Sequence, residues 1–157
     1  MNNQILLNFE KIYYPEIRLS YNPKYKNNYD MFTDVREIEC KISIAGNVNI
    51  INDNKLICIV NCNVMCNHKD FADFSRLNII SHGIFATPDK FSIETVQEYH
   101  QNFYAIVYPF IRETAHSVFM KNRISFIMPI INFLQTIKDN PSNFKIMQTN
   151  NNGDDKA

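Results

Sequence analysis

YHQNFYAIVYPFIRETAHSVFMKNRISFIMPIINFLQTI, residues 99–137, reads as a long helix followed by a short one. At helical spacing Phe103, Ile106, Val107, Phe110, Ile111, Thr114, Val118 and Phe119 form an apolar band wider than the stripe of a surface helix. A helix apolar around more than half its girth is buried on two sides. One sheet covers one side, so a second copy of the chain is expected on the other, with Phe103, Val107, Phe110, Thr114 and Val118 as interface residues. Pro109 lacks an N–H and crowds the preceding turn, which predicts a kink or a division there. Lys121 and Arg123 suit the negative helix end, near Asn122. The pattern breaks at Pro129, and Ile130 to Ile137 is the expected second helix.

Upstream of this stretch the period changes from helical to two. Residues 5–21 read as a strand bent at Pro15, a residue that suits an edge or a bulge because it donates no hydrogen bond. In residues 35–51, Ile38, Cys40, Ile42 and Ile44 share one face while Glu37, Glu39, Lys41 and Ser43 share the other. One wet face implies an antiparallel sheet. Asn52-Asp53-Asn54 is a hairpin turn. Residues 55–67 return as a strand, and residues 77–86 form a fourth after a loop or bulge around 69–75. Ser92 is placed to cap a helix whose first turn holds Glu94. Residues 22–34 form a loop carrying Tyr25, Tyr29, Met31 and Phe32 without any period. Such aromatics either fold back onto the domain or face a ligand. The expected class is α+β, with a four-stranded antiparallel sheet, a Pro-kinked long helix and a short C-terminal helix. Residues 1–140 make one domain, and 141–157 form a polar, disordered tail.

Composition narrows the function classes. The chain has 157 residues, 45% hydrophobic and 20% charged, with a formal net charge of zero. That describes a folded domain without the basic field that marks nucleic-acid binding. MNNQILLNFEK lacks the basic segment and apolar core of a signal peptide, and no run approaches the length of a membrane helix. A cytoplasmic protein with four reduced cysteines is expected.

Three groupings invite a chemical reading. Cys58, Cys62 and Cys66, with His68 beyond, alternate with valines along a strand, where cysteine acts as a small buried hydrophobe; structural zinc sites use tighter pairs on turns. Glu113 and His116 form one Glu-x-x-His pair, whereas di-iron bundles need two such pairs and further carboxylates. His82 precedes Gly83 at a strand end, but no nucleophile motif or Gly-rich phosphate loop accompanies it. No metal, cofactor or catalytic residue is therefore assigned. Tyr25, Tyr29, Met31 and Phe32, with Ile130, Ile131, Phe133 and Leu134, are instead candidates to line a groove for extended apolar segments.

An ordered set of motifs points the same way: His82-Gly83-Ile84-Phe85, then Tyr108-Pro109-Phe110-Ile111-Arg112-Glu113, then Phe126 to Pro129 and Ile131-Asn132-Phe133. With Phe9, Ile12-Tyr13, Ile17, Leu19 and Pro23 near the start, this series resembles the SecB family of protein-export chaperones. The resemblance implies a dimer of dimers with the long helices between sheets. It also implies an ATP-independent holdase whose unfolded preprotein clients lie between the loop after strand one and the segment Phe126, Ile127, Ile130, Ile131, Phe133 and Leu134. Glu16 matches one acid of that family's contact with the SecA motor, while Ser20 and Asn78 stand where the others are expected. Typical members are acidic, and this chain is neutral. A chaperone of a toxin–antitoxin system is the variant reading. Two readings from other classes are a hot-dog-like thioesterase or acyl-binding protein using His82 or Glu94, and an interaction protein with one dedicated partner.

Overall fold

The computed structural model of the chain describes residues 6–27, 38–124 and 126–149. Tyr29, Met31 and Phe32, and the end of the expected tail, lie outside the described residues. Four long strands come first: β1 (Asn8–Tyr21), β2 (Ile38–Asn52), β3 (Lys55–His68) and β4 (Phe71–Ala86). Helices α1 (Ile93–Glu98), α2 (His100–Lys121) and α3 (Phe133–Asp139) follow, and then a short strand, β5 (Phe144–Gln148). The sheet order is β1-β4-β3-β2-β5, antiparallel throughout except that β5 lies parallel to β2.

The alternation in β2 and β3 is the reason the sheet has an inner face. Leu56, Cys58, Val60, Cys62, Val64 and Cys66 are all fully buried beneath α2, so the three β3 cysteines are core residues. Pro15 falls at a bulge on the edge strand: Tyr13 pairs with His82 and Glu16 with Ile80, which leaves Tyr14 and Pro15 opposite Ser81. Two glycines let the helix approach. A Cβ on Gly46 would stand 2.5 Å from the Tyr104 ring, and one on Gly83 would stand 2.6 Å from Val107 Cγ2.

Several expectations are corrected. The sheet has five strands and is mixed, because residues 144–148 are strand and not tail. Phe144 is buried against Tyr104 and Phe133, and that aromatic contact anchors a segment too short and polar to show a period. Strand β4 begins at Phe71, directly after a two-residue turn, instead of at residue 77. Its early alternation is hidden because Ala72, Asp73 and Phe74 lie opposite Asn67 alone, with Asp73 at φ 53° and its N–H donating to Asn67 Oδ1 at 2.7 Å. The helical stretch divides at Tyr99, and Pro109 sits inside α2. Pro109 and Ala105 are both exposed, so the carbonyl that Pro109 leaves unpaired faces water. Helix α3 starts three residues later than expected because Asn132 caps it, its Oδ1 accepting from Gln135 N–H at 3.2 Å.

Residues 103 and 107 also need reassignment. Phe103 and Val107 lie with Tyr104, Tyr108, Ile111, Ala115 and Phe119 against the chain's own sheet, so they are not free to meet a partner. Phe110 is exposed, while Thr114 and Val118 are half-buried. The apolar side chains that α2 leaves partly in water are Ile106, Phe110, whose ring also meets Phe9 of β1 at 5.3 Å, and Met120, the last 58% exposed.

Candidate functional site

Strand β5 covers β2 only from Gly46 to Ile50. From Ile38 to Ala45 the same edge of β2 has no strand partner among the described residues. After α2 the chain doubles back along that helix, held by Tyr108 O–H to the Pro129 carbonyl at 2.8 Å and by Arg112 Nε–H to the Met128 carbonyl at 3.0 Å. Between this returning segment, α3 and the open edge lies a cleft of about 300 Å³, lined by Ile42, Ser43, Ile44, Pro129, Ile131, Thr136, Asn140 and Asn143. A larger opening of about 750 Å³ at the β2–β3 turn is lined mainly by polar residues, among them Asn52, Asp53, Asn54, Lys55 and Gln148.

An uncovered strand edge presents N–H and C=O groups at regular spacing, and an extended peptide can satisfy them whatever its side chains. The flanking strip adds apolar contact. Ile130 is 85% exposed and Ile127 72%, Leu134 is exposed, and Phe126 and Ile131 are half-buried. Leaving such a run in water costs free energy that any apolar partner recovers.

The other sequence-predicted residues fall elsewhere. Phe133, only 3% exposed, stacks on Tyr104 at 5.7 Å and meets Tyr108 edge-on at 5.5 Å, so it is core and not groove wall. Tyr25, on a 3-10 segment over 23–27, packs edge-on against Phe71 at 5.2 Å, at the β3–β4 hairpin and outside the cleft lining. Ile42, Ile44, Thr136 and Asn140 were not predicted. The period of β2 placed its isoleucines inward, but nothing in the sequence says that half of β2 is an edge.

The titratable groups are held apart from the cleft. Glu16 lies on the outer sheet face, where Asn78 Nδ2 donates to it at 3.1 Å and Arg18 Nε stands at 3.2 Å. His82, on the same face, contacts the Tyr13 hydroxyl at 2.8 Å, and desolvation holds its pKa below the usual value. Glu94 is exposed in the first turn of α1, and Glu113 and His116 are exposed on α2. His100 meets the Tyr104 hydroxyl at 2.9 Å; desolvation lowers its pKa, partly opposed by a hydrogen bond to the Lys145 backbone. Burial pushes the Cys58 thiol up, and Cys62 up to about 12. Among the described residues no three His, Cys, Asp or Glu side chains gather as metal ligands, and no helix is long and apolar enough to cross a membrane.

No protein-family model matches the chain, and no curated protein matches it. Solved structures do. The Rv1957 SecB-like chaperone of Mycobacterium tuberculosis, solved in complex with a ChAD peptide from the Rv1956 HigA1 antitoxin, superposes with a TM-score of 0.62. The match is at 11% identity and covers 80% of this chain and 91% of that one. A protein of unknown function from Streptococcus agalactiae superposes with a TM-score of 0.50 at 7% identity, over 81% of this chain and 99% of that one. The chain thus carries a SecB-like fold.

Proposed function

We propose that this protein is an ATP-independent chaperone of the cytoplasm that binds extended, non-native polypeptide segments in the cleft beside β2. The observation that carries this reading is the pairing of an open strand edge, Ile38 to Ala45, with the exposed apolar strip Ile127, Ile130 and Leu134. The edge supplies sequence-independent hydrogen bonds and the strip supplies burial, which together suit a client recognised by being unfolded. No catalytic group is required, and none is assigned. A dedicated antitoxin-type client is preferred over export preproteins. The SecB-like neighbour was solved with an antitoxin peptide, and the one acid at the SecA-type surface, Glu16, is engaged by Arg18 and Asn78. The Ile106, Phe110 and Met120 stripe is the proposed contact in a dimer-of-dimers homotetramer.

The test offers one client protein in its native and its unfolded form. Binding of the unfolded form alone, unchanged by ATP, is the expected result. Binding to neither form, or to both equally, would sink the proposal. Competition by an extended apolar peptide then reports whether the cleft is the site.

A further inference from the structure

Cys40 of β2 and Cys66 of β3 are direct cross-strand partners on the inner face of the sheet. Their sulfurs are 3.4 Å apart, the Cys40 thiol donating to Cys66 Sγ. Opposed residues in an antiparallel pair have Cα atoms about 4.5 or 5.5 Å apart, and both values lie within the range of about 4.4–6.8 Å that a disulfide spans. Closing the remaining gap is a matter of side-chain rotation, with no shift of the strands. The other two cysteines have no such neighbour: Cys58 pairs with Val48 and Cys62 with Ile44. Access is also ordered. Cys66 is fully buried and Cys40 half-buried, so an external reagent reaches Cys40 first.

We infer that Cys40 and Cys66 form a reversible thiol–disulfide site, oxidised by a small disulfide of the glutathione class to a cross-strand Cys40–Cys66 bond. Cys40 gives its proton to solvent and its thiolate attacks one sulfur of the small disulfide. The S–S bond of the reagent breaks, one small thiolate leaves and takes up a proton, and Cys40 holds the mixed disulfide. Cys66 then loses its proton and attacks Cys40 Sγ, releasing the second small thiol. Two protein thiols are oxidised and one small disulfide is reduced to two thiols.

The local electrostatics favour this order. When Cys40 loses its proton the Cys66 thiol can turn and donate to the thiolate, and that hydrogen bond holds the Cys40 pKa below its ordinary value, against the opposing effect of burial. Cys66 is pushed up by the same contact, by burial, and by the nearby Cys40 and Asp73. Once Cys40 is consumed, its share of that upward push disappears, and Cys66 is the sulfur left in contact. The bond would fasten the open half of β2 to β3.

The test exposes the reduced full chain to oxidised glutathione, then alkylates the remaining thiols in denaturant and maps the peptides. The expected result is two alkylatable thiols where four were free, and one cross-linked peptide joining Cys40 to Cys66. Cys66→Ser should stop at a glutathione adduct on Cys40, Cys40→Ser should form neither adduct nor link, and Cys58→Ser should still form the link. Four alkylatable thiols in the wild type, a link between another pair, or an adduct first on Cys66 would each overturn the inference. The wild-type result stands whether or not a variant folds.

Discussion

Ile130→Ala, on the segment beside the cleft and outside its lining, separates binding from folding more sharply than a substitution in the lining itself. The substitution removes three side-chain carbons, worth about 2.4 kcal/mol if a client buried them completely, at about 0.8 kcal/mol per methylene. Ile130 is 85% exposed in the free protein, so nearly all of that area is available to a client and almost none supports the fold. With incomplete burial in the complex, the loss is about 1–2 kcal/mol, or about a five- to thirty-fold rise in Kd. Thermal stability should stay within about 0.5 kcal/mol of wild type, as for other surface changes. The neighbouring control is Phe133→Ala, which opens the core beneath Tyr104 and should cost about 3–5 kcal/mol of stability. Anisotropy titration of a labelled unfolded client, beside a thermal melt, reads both quantities. Wild-type affinity in Ile130→Ala with an unchanged melt would refute the assignment of the strip as a contact surface. A melt lowered by several degrees would refute the claim that Ile130 is spare.

Three further outcomes follow from the packing. Gly46→Ala sets a Cβ 2.5 Å from a Tyr104 ring already hemmed by Phe133 and Phe144, so overpacking should cost about 1–3 kcal/mol; an unchanged melting temperature would show that the ring can move. Phe144→Ala removes the anchor of β5 and should raise hydrogen exchange at the amides of Gly46–Ile50 while the centre of β3 stays protected; equal loss in both would mean that β5 is integral to the whole sheet. For pH, desolvation holds the folded pKa of His100 and His82 below the ordinary histidine value of 6.5, so the unfolded chain binds more protons just below that point. Stability from these groups is present above about pH 6.5 and is lost as pH falls toward their folded pKa, so urea midpoints should drop on acidification and the double variant His82→Gln/His100→Gln should flatten the fall. A slope that the double variant leaves unchanged would assign the loss to other groups.

The strands were legible because their apolar residues repeat every second position over long runs: the turn at Asp53–Asn54, the bulge at Pro15 and the Ser92 cap all fall where single residues require them. The misses have a common cause, which is that periodicity reports burial and not what does the burying. Phe103 and Phe110 are equally apolar members of one helical band, yet Phe103 is fully under the sheet while Phe110 sits at its rim against Phe9 of β1 and stays 39% exposed, because the close approach at Gly46 and Gly83 fixes the roll of α2. Phe133 looked like groove wall for the same reason. Its neighbours Ile130 and Leu134 are exposed, whereas Phe133, the first residue after the Asn132 cap, packs inward on Tyr104, Tyr108 and Phe144. β5 escaped detection because it needs just two inward side chains, Phe144 and Ile146, to hold an edge that β2 already offers. The cleft was only partly legible: Ile131 of its lining was expected there and the exposed strip beside it was named, but its strand edge exists only through sheet order.

That sheet order also separates the two apolar surfaces left uncovered. The stripe Ile106, Phe110 and Met120 presents side chains on a helix whose backbone groups, apart from the carbonyl freed by Pro109, are paired internally, so a partner there is selected mainly by side-chain shape. A fixed, complementary surface such as a second copy suits it. The cleft differs because half of it is backbone. Eight residues of β2 edge without a strand partner among the described residues, Ile38 to Ala45, extend about 26 Å at about 3.3 Å per residue, and every second peptide group can pair with an added strand regardless of sequence. The far end of that edge is set by β5, which closes the same line of β2 from Gly46 onward. A segment accepted there must be extended and already unfolded, since a folded chain keeps its own peptide groups paired. Selection for unfoldedness would then come from the unpaired backbone of β2, with Ile127, Ile130 and Leu134 adding affinity without reading a particular sequence.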